Sequence, residues 1–248
     1  MLIKHDMNFT ALDKTRQLHI YLPDNYYESE ERYPVMYFFD GHNLFFNQDA
    51  TYGKSWGLYD FMQSWNKQMI IVGLECGHEG NERLSEYSPY DINSDFFGGF
   101  VKGRGQETMD WIVNEVKPYI DKTYRTYPFR QATGIAGSSM GGLMSIYAAG
   151  LYNHIFSKAA CLSSAILNEL DTDLAATPID SDTRIYLSWG TEEGGGWDGT
   201  AAQANLRIAS YFENSGATSH VYCQEGGQHR EADWEKQVPL FMDFLWMQ

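Results

Sequence analysis

Basic charge is scarce in this chain of 248 residues: 18 Lys and Arg face 33 Asp and Glu, and 18 − 33 leaves a formal charge of −15. Such an acidic surface repels phosphate backbones and anionic lipid, which excludes non-specific binding to nucleic acid or membrane surfaces. A small neutral or weakly charged substrate fits it better. Long apolar runs are also lacking. No window is long and apolar enough to span a bilayer, and the first residues, MLIKHDMNFTALDKT, hold neither an apolar h-region nor a small-residue cleavage site. The reading is a soluble, cytoplasmic protein. Only three cysteines occur, Cys76, Cys161 and Cys223. An odd number, far apart and each in or beside an apolar run, predicts buried free thiols rather than a disulfide frame. Composition does not shift along the chain, there is no repeat or low-complexity tract, and residues 1–248 read as one domain.

What the chain has in quantity is rings, with seven Trp, seventeen Tyr and fourteen Phe, and alternating strand-like and helix-like runs. Leu18, Ile20 and Leu22 alternate with polar residues after an earlier run from Met7 to Leu12, which predicts an antiparallel N-terminal hairpin. Tyr33–Phe39 and Met69–Leu74 are continuous apolar runs, as expected of strands buried on both faces of a parallel sheet. Ser157–Leu162, Arg184–Trp189 and His220–Gln224 are further strands. Ser55 caps an expected helix over residues 55–62, helical spacing predicts another from Gln106 to Ile120 with Pro118 near its end, and two more cover Thr200–Asn214 and Trp234–Leu245. The alternation predicts an α/β fold: a mainly parallel central sheet with helices on both faces. Only about twenty residues, Ser163 to Thr183, separate two of the strands, so no large cap domain is expected.

The chemistry is expected in Thr133–Gly150, TGIAGSSMGGLMSIYAAG. Here Gly137-Ser138-Ser139-Met140-Gly141 forms a G-x-S-x-G pentapeptide between a strand and a helix. Ser139 would stand on a strained turn, with glycines where a Cβ would collide with strand or helix. The Met140 N–H would open the helix, where unpaired amides and the helix dipole favour a developing negative charge. No Gly-Lys-[Ser/Thr] ending and no G-x-G-x-x-G accompany it, which weighs against a phosphate cradle. A serine hydroxyl needs a histidine base and a carboxylate to orient it. Both follow in loops at strand ends: Gly190-Thr191-Glu192-Glu193-Gly194, then Gly226-Gly227-Gln228-His229. Of the seven histidines His229 alone has this address, and Glu193 is the chosen acid, with Glu192 next and Asp198 third.

The turn Asp40-Gly41-His42-Asn43 ends the first buried strand, at the edge where ligand sites of open α/β sheets collect. The His42 amide is the candidate second oxyanion donor, and its side chain a pocket group rather than the base. Residues 75–105, polar, aromatic and glycine-rich with Phe96 and Phe97, read as a lid or pocket wall, with Arg83 and Glu86 placed to brace it. Asp40, Asn43, Trp56, Arg83 and Tyr87 are the candidate pocket residues.

Taken together, Tyr33-Pro34-Val35 to Asp40-Gly41, Glu86-Tyr87-Ser88-Pro89, Gly137-Ser138-Ser139-Met140-Gly141-Gly142, Gly190-Thr191-Glu192-Glu193 and His229 resemble an esterase family of the α/β-hydrolase superfamily, related to esterase D, feruloyl esterases, antigen 85 acyltransferases and enterobactin esterases. The resemblance covers nearly the whole chain. It implies an α/β-hydrolase fold, a serine esterase acting through an acyl-enzyme, and oxyanion amides at the positions of His42 and Met140. A glutamate as the acid is similar to antigen 85, where many relatives use aspartate. The resulting expectation is a carboxylesterase with a Ser139, His229 and Glu193 triad. It acts on short acyl or aryl esters, needs no metal or organic cofactor, and leaves self-association open. Siderophore esters and sugar acetates stay open as substrates. The rival readings are acyl transfer by the same triad, and a non-catalytic binding protein on this fold.

Overall fold

The computed structural model describes residues 1–95, 98–194 and 199–246. Eight strands form one sheet in the order β1-β2-β4-β3-β7-β8-β9-β10, and β5 and β6 form a separate two-stranded sheet. The strands are β1 (Leu2–Phe9), β2 (Lys14–Tyr21), β3 (Val35–Phe39), β4 (Ile70–Leu74), β5 (Ile92–Ser94), β6 (Gly99–Val101), β7 (Thr133–Ser138), β8 (Lys158–Leu162), β9 (Arg184–Gly190) and β10 (Thr218–Gln224). β1 and β2 pair antiparallel, as β2 does with β4, while β4, β3, β7, β8, β9 and β10 run parallel. The helices are α1 (Leu58–Ser64), α2 (Glu82–Glu86), α3 (Gly105–Trp111), α4 (Lys117–Thr123), α5 (Met140–Leu151), α6 (Glu169–Ala176), α7 (Thr200–Asn214), α8 (Glu231–Glu235) and α9 (Val238–Trp246). This is the expected α/β-hydrolase architecture. None of the helices among the described residues is long and apolar enough to cross a membrane.

Period-two alternation divides the core between the two faces of the sheet. On β3, Val35, Tyr37 and Phe39 join Ile135 and Ile185 under α3, α5 and α7. Met36 and Phe38 point the other way, to Leu58 and Met62 of α1 and to Trp234 and Phe241 of α8 and α9. With both faces covered, β3 (VMYFF) and β4 (IIVGL) are apolar or glycine at every position, which is why they read as continuous runs.

Several local expectations are corrected. The hairpin strands are longer than read, and a 3-10 turn at Thr10–Leu12 with left-handed Asp13 joins them. Ser55 does not cap α1; left-handed Gly57 does, and the Ser55 hydroxyl accepts its N–H at 3.3 Å. The helix expected to close near Pro118 continues through a π-turn at Ile112–Val116 to Thr123. The wider turn accommodates a proline ring that would otherwise press on the carbonyl four residues back. The last helix is two, because Pro239 is tolerated only in a first turn and so starts α9 anew. Cys76 and Cys161 are buried free thiols, but Cys223 is exposed.

Residues 75–105 carry α2 and the β5–β6 ribbon, while Phe96 and Phe97 lie outside the described residues. Arg83 and Glu86 do not pair with each other. Glu86 takes Arg16 of β2 as its buried partner, with Arg16 Nε donating at 3.1 Å. Arg83 forks onto the two oxygens of Asp40 at 2.7 and 2.8 Å. Fully buried Tyr87 accepts the Asp40 N–H at 3.1 Å and donates to the Leu74 carbonyl at 3.3 Å. Two buried carboxylates thus tie this segment to the ends of β2, β3 and β4. Burial pushes the Asp40 carboxyl up, but the Arg83 charge and hydrogen bonds outweigh it and hold it below the ordinary value.

Two outcomes follow for stability. A Cβ on Gly41 would stand 2.6 Å from the Gly73 carbonyl carbon and 2.8 Å from its oxygen. Gly41→Ala should therefore cost about 1–3 kcal/mol and lower the melting temperature by several degrees, while Gly194→Ala, into open space, stays within about 0.5 kcal/mol. Because Asp40 is lowered on folding, its stabilisation is complete above the unfolded carboxyl value near about 3.9 and is lost as pH falls through the lower folded value. Thermal melts of wild type and Asp40→Asn from neutral pH to about pH 3 should converge on acidification; a constant gap would remove the ion pair from this role.

Candidate active site

Ser139 joins β7 to α5 with φ 58° and ψ −121°, a region costly for any residue with a Cβ. Its surroundings enforce the turn. Ser139 N–H donates to the Leu162 carbonyl at 2.9 Å, and its own carbonyl accepts from Leu143 at 3.1 Å and Ala165 at 3.0 Å. The flanking glycines are steric requirements: a Cβ on Gly137 would meet the Gly141 backbone at 2.6 Å, and one on Gly141 would meet Phe39 Cβ at 2.9 Å and Asp40 Oδ2 at 3.5 Å. Met140 is the first residue of twelve-residue α5. Across the edge, His42 sits mid-turn in a 3-10 segment, Gly41–Asn43, behind left-handed Asp40. Among the described residues neither the Met140 nor the His42 amide has an acceptor within the protein. Both are free to donate to a bound oxygen.

β9 and β10 bring Glu193 and His229 together. Gly190 ends β9, Glu193 follows in the next turn, and His229 stands in the loop after β10. His229 Nδ1 lies 2.6 Å from Glu193 Oε2. With that nitrogen donating to the carboxylate, Nε2 keeps its lone pair. Glu192 is exposed and accepts from Gln228 Nε2 at 2.8 Å instead, and Asp198 lies outside the described residues. Glu193 is buried; its Oε1 accepts from Ser163 Oγ at 2.9 Å and from the Gly190 N–H. The His229 side chain is 45% exposed, which leaves the site open to solvent.

Three neighbours escaped the sequence reading. Trp234 Nε1 donates to Ser163 Oγ at 2.9 Å, and its ring meets His229 edge-on at 5.1 Å. Ser163 itself takes φ 47° at the end of β8. Its signal was the Ser163-Ser164 pair closing a strand. Glu231, two residues past His229, is buried, and its carboxyl is raised by burial and by Asp40, with His229 and Arg83 opposing. Asp40, Arg83 and His229 therefore all lie within electrostatic reach of one carboxyl group. Of the pocket candidates, Asp40 and Arg83 form the ion pair, while Trp56 packs in the core against Phe38, Trp234 and Phe241 and Tyr87 is fully buried. Asn43 holds its own loop, accepting the Thr51 N–H at 2.9 Å.

His42 Nε2 lies 2.9 Å from Thr51 Oγ1, whereas Nδ1 is buried without a hydrogen-bond partner among the described residues. Burial lowers the His42 ring below its ordinary value, with Asp40 opposing and His78 adding to the shift. His42, Glu75 and His78 bring potential metal-ligand atoms within 4.8 Å of one another, a cluster absent from the sequence reading.

Comparison with known proteins agrees with this architecture. Residues 10–242 match the profile of the family described as "Putative esterase". The Bacillus subtilis protein YbbA, itself uncharacterized, is 29% identical over 183 residues, covering 72% of this chain and 69% of YbbA. An esterase of Mycobacterium tuberculosis is 31% identical over 144 residues, covering 58% of this chain but 28% of that longer protein. An IroE-like serine hydrolase of Shewanella oneidensis superposes with a TM-score of 0.76 at 21% identity, over 98% of this chain and 81% of that one. That last likeness shows a shared fold. With nearly its whole length matched to the family profile, the chain belongs to this family of esterases and is a carboxylesterase-type hydrolase on an α/β-hydrolase fold.

Proposed function

We propose that this esterase works through a triad of Ser139, His229 and Glu193 on short acyl or aryl esters. The observation that carries the reading is the 2.6 Å contact of His229 Nδ1 with buried Glu193. It lies on the same carboxyl edge of the parallel sheet as the strained turn at Ser139. Ser139 Oγ attacks the ester carbonyl carbon while His229 Nε2 takes its proton. The carbonyl oxygen becomes an alkoxide held by the Met140 and His42 amides, both without an acceptor among the described residues. Collapse breaks the bond to the alcohol oxygen, which receives the proton from His229 and leaves an acyl-serine. Water, activated by the same nitrogen, then attacks the acyl carbon. The second collapse frees the carboxylic acid and returns the proton to Ser139. Glu193 holds the ring in one tautomer and steadies its charged form throughout.

The near half-exposed His229 favours water over a sequestered alcohol as acyl acceptor. The connection between β8 and β9 holds only the eight-residue α6, so a small ester in a shallow site suits it better than a long acyl chain under a cap.

Hydrolysis of p-nitrophenyl acetate, butyrate and octanoate should be fastest for the shorter chains. Ser139→Ala should lower turnover by about 10⁴- to 10⁶-fold and abolish the single fluorophosphonate adduct seen by intact mass. A folded wild type that neither turns over nor takes the label would end the serine reading. Glu193→Gln should lower kcat by about 10⁴-fold, with Glu192→Gln close to wild type. The reverse ranking would move the acid by one residue.

A further inference from the structure

We propose that the side chains of His42, Glu75 and His78 form a binding site for one divalent transition-metal ion of the zinc class. β3 and β4 are parallel neighbours, with Phe39 paired to Leu74, so the segments leaving their carboxyl ends run side by side. That brings His42, in the turn after β3, against Glu75 and His78 in the segment after β4. Donor atoms of the three lie within 4.8 Å of one another, and the two imidazole rings meet at 4.7 Å between centroids and 77° between planes. Zinc bonds of about 2.0–2.2 Å hold donors roughly 3.3 Å apart, a closure that exposed His78 can make by side-chain rotation.

The second observation is an unmet need inside the cluster. His42 is 7% exposed, and its Nδ1 is buried and takes no hydrogen bond among the described residues even with His78 beside it; when Nε2 donates to Thr51 Oγ1, 2.9 Å away, the lone pair is on Nδ1. An unsatisfied buried polar atom is destabilising, and an ion on Nδ1 would satisfy it. The outer partners that metal-binding residues use are also in place. Thr51 holds the far nitrogen of His42, and His19 Nε2 lies 3.0 Å from Glu75 Oε1. Glu75 opposes the ion's charge directly, while Asp40 is already paired with Arg83. Half-buried Glu75 and exposed His78 leave a path to solvent. Two imidazoles and one carboxylate suit zinc, cobalt or nickel, whereas calcium and magnesium call for oxygen donors throughout.

The test uses full-length protein freed of metal by chelation, titrated with ZnCl2 by calorimetry and with CoCl2 by visible absorption. One ion per chain at micromolar affinity or tighter is expected, with Co²⁺ bands of a nitrogen- and oxygen-ligated site. His78→Ala, whose metal-free melting temperature should match wild type because the residue is exposed, should weaken binding by more than the about 10–100-fold that loss of an outer partner costs. Glu75→Gln should do the same, and Zn²⁺ should raise the melting temperature of wild type but of neither variant. Absence of saturable heat and of Co²⁺ bands would overturn the site. So would binding that survives His78→Ala and disappears in His229→Ala, which would place the ion on His229 and Glu193.

Discussion

A carboxylate taken out of water loses several kcal/mol of hydration unless donors replace it, and Glu193, 8% exposed, takes its donors from three separate strand ends. Ser163 comes from the end of β8, the Gly190 N–H from β9, and His229 from the loop after β10. Trp234 of α8 then fixes the Ser163 hydroxyl from behind. The carboxylate therefore sets the relative positions of three loops that have no direct covalent connection. A change at any one of them leaves a buried charge short of a donor, which is why the His229 ring can be held in place although nearly half of it faces solvent.

The parallel sheet makes this convergence inevitable once the strand order is set. Six adjacent strands point the same way, so every segment leaving a carboxyl end emerges on one edge. Residues 40, 139, 163, 193 and 229 all stand on that edge although up to 189 positions (229 − 40) separate them in the chain. The core beneath needs only apolar continuity, and the loops above are free to carry polar groups. Chemistry and stability are divided between the edge and the layers.

That division decides what was legible in the sequence. The continuous runs of β3 and β4, the helical period of α7, and the glycines around Ser139 are local consequences of burial and sterics, and they read correctly. His229 and Glu193 could be nominated because their order after Ser139 and their places behind strand ends are linear properties. Partners chosen across the fold could not. Arg83 and Glu86, three apart on one helix, looked like a pair, yet Glu86 joins Arg16 from 70 positions away and Arg83 joins Asp40. Ser163, Trp234, Glu231 and the His42, Glu75 and His78 cluster were hidden for the same reason: each acquires its role only from a neighbour that folding supplies. Trp56 and Tyr87, read as pocket candidates, are buried in the core, since a ring near a strand-end loop can fill the core.

Strain follows the same geography. Among the described residues four non-glycines have positive φ, and three of them, Asp40, Ser139 and Ser163, stand directly after the adjacent strands β3, β7 and β8. Each costs about 1–3 kcal/mol, so such clustering at one edge is sustained only by the layers below and by fixed partners: Arg83 and Tyr87 on Asp40, the Leu162 carbonyl on the Ser139 amide, Trp234 on Ser163. The strained residues' own N–H groups keep internal partners: Asp40 on the Tyr87 hydroxyl, Ser139 on the Leu162 carbonyl and Ser163 on the Ser188 carbonyl. The Met140 and His42 amides, by contrast, have no acceptor among the described residues. Donors at the start of a helix and in a tight turn that lack an internal acceptor can serve an oxygen from outside, which is the role proposed for these two amides.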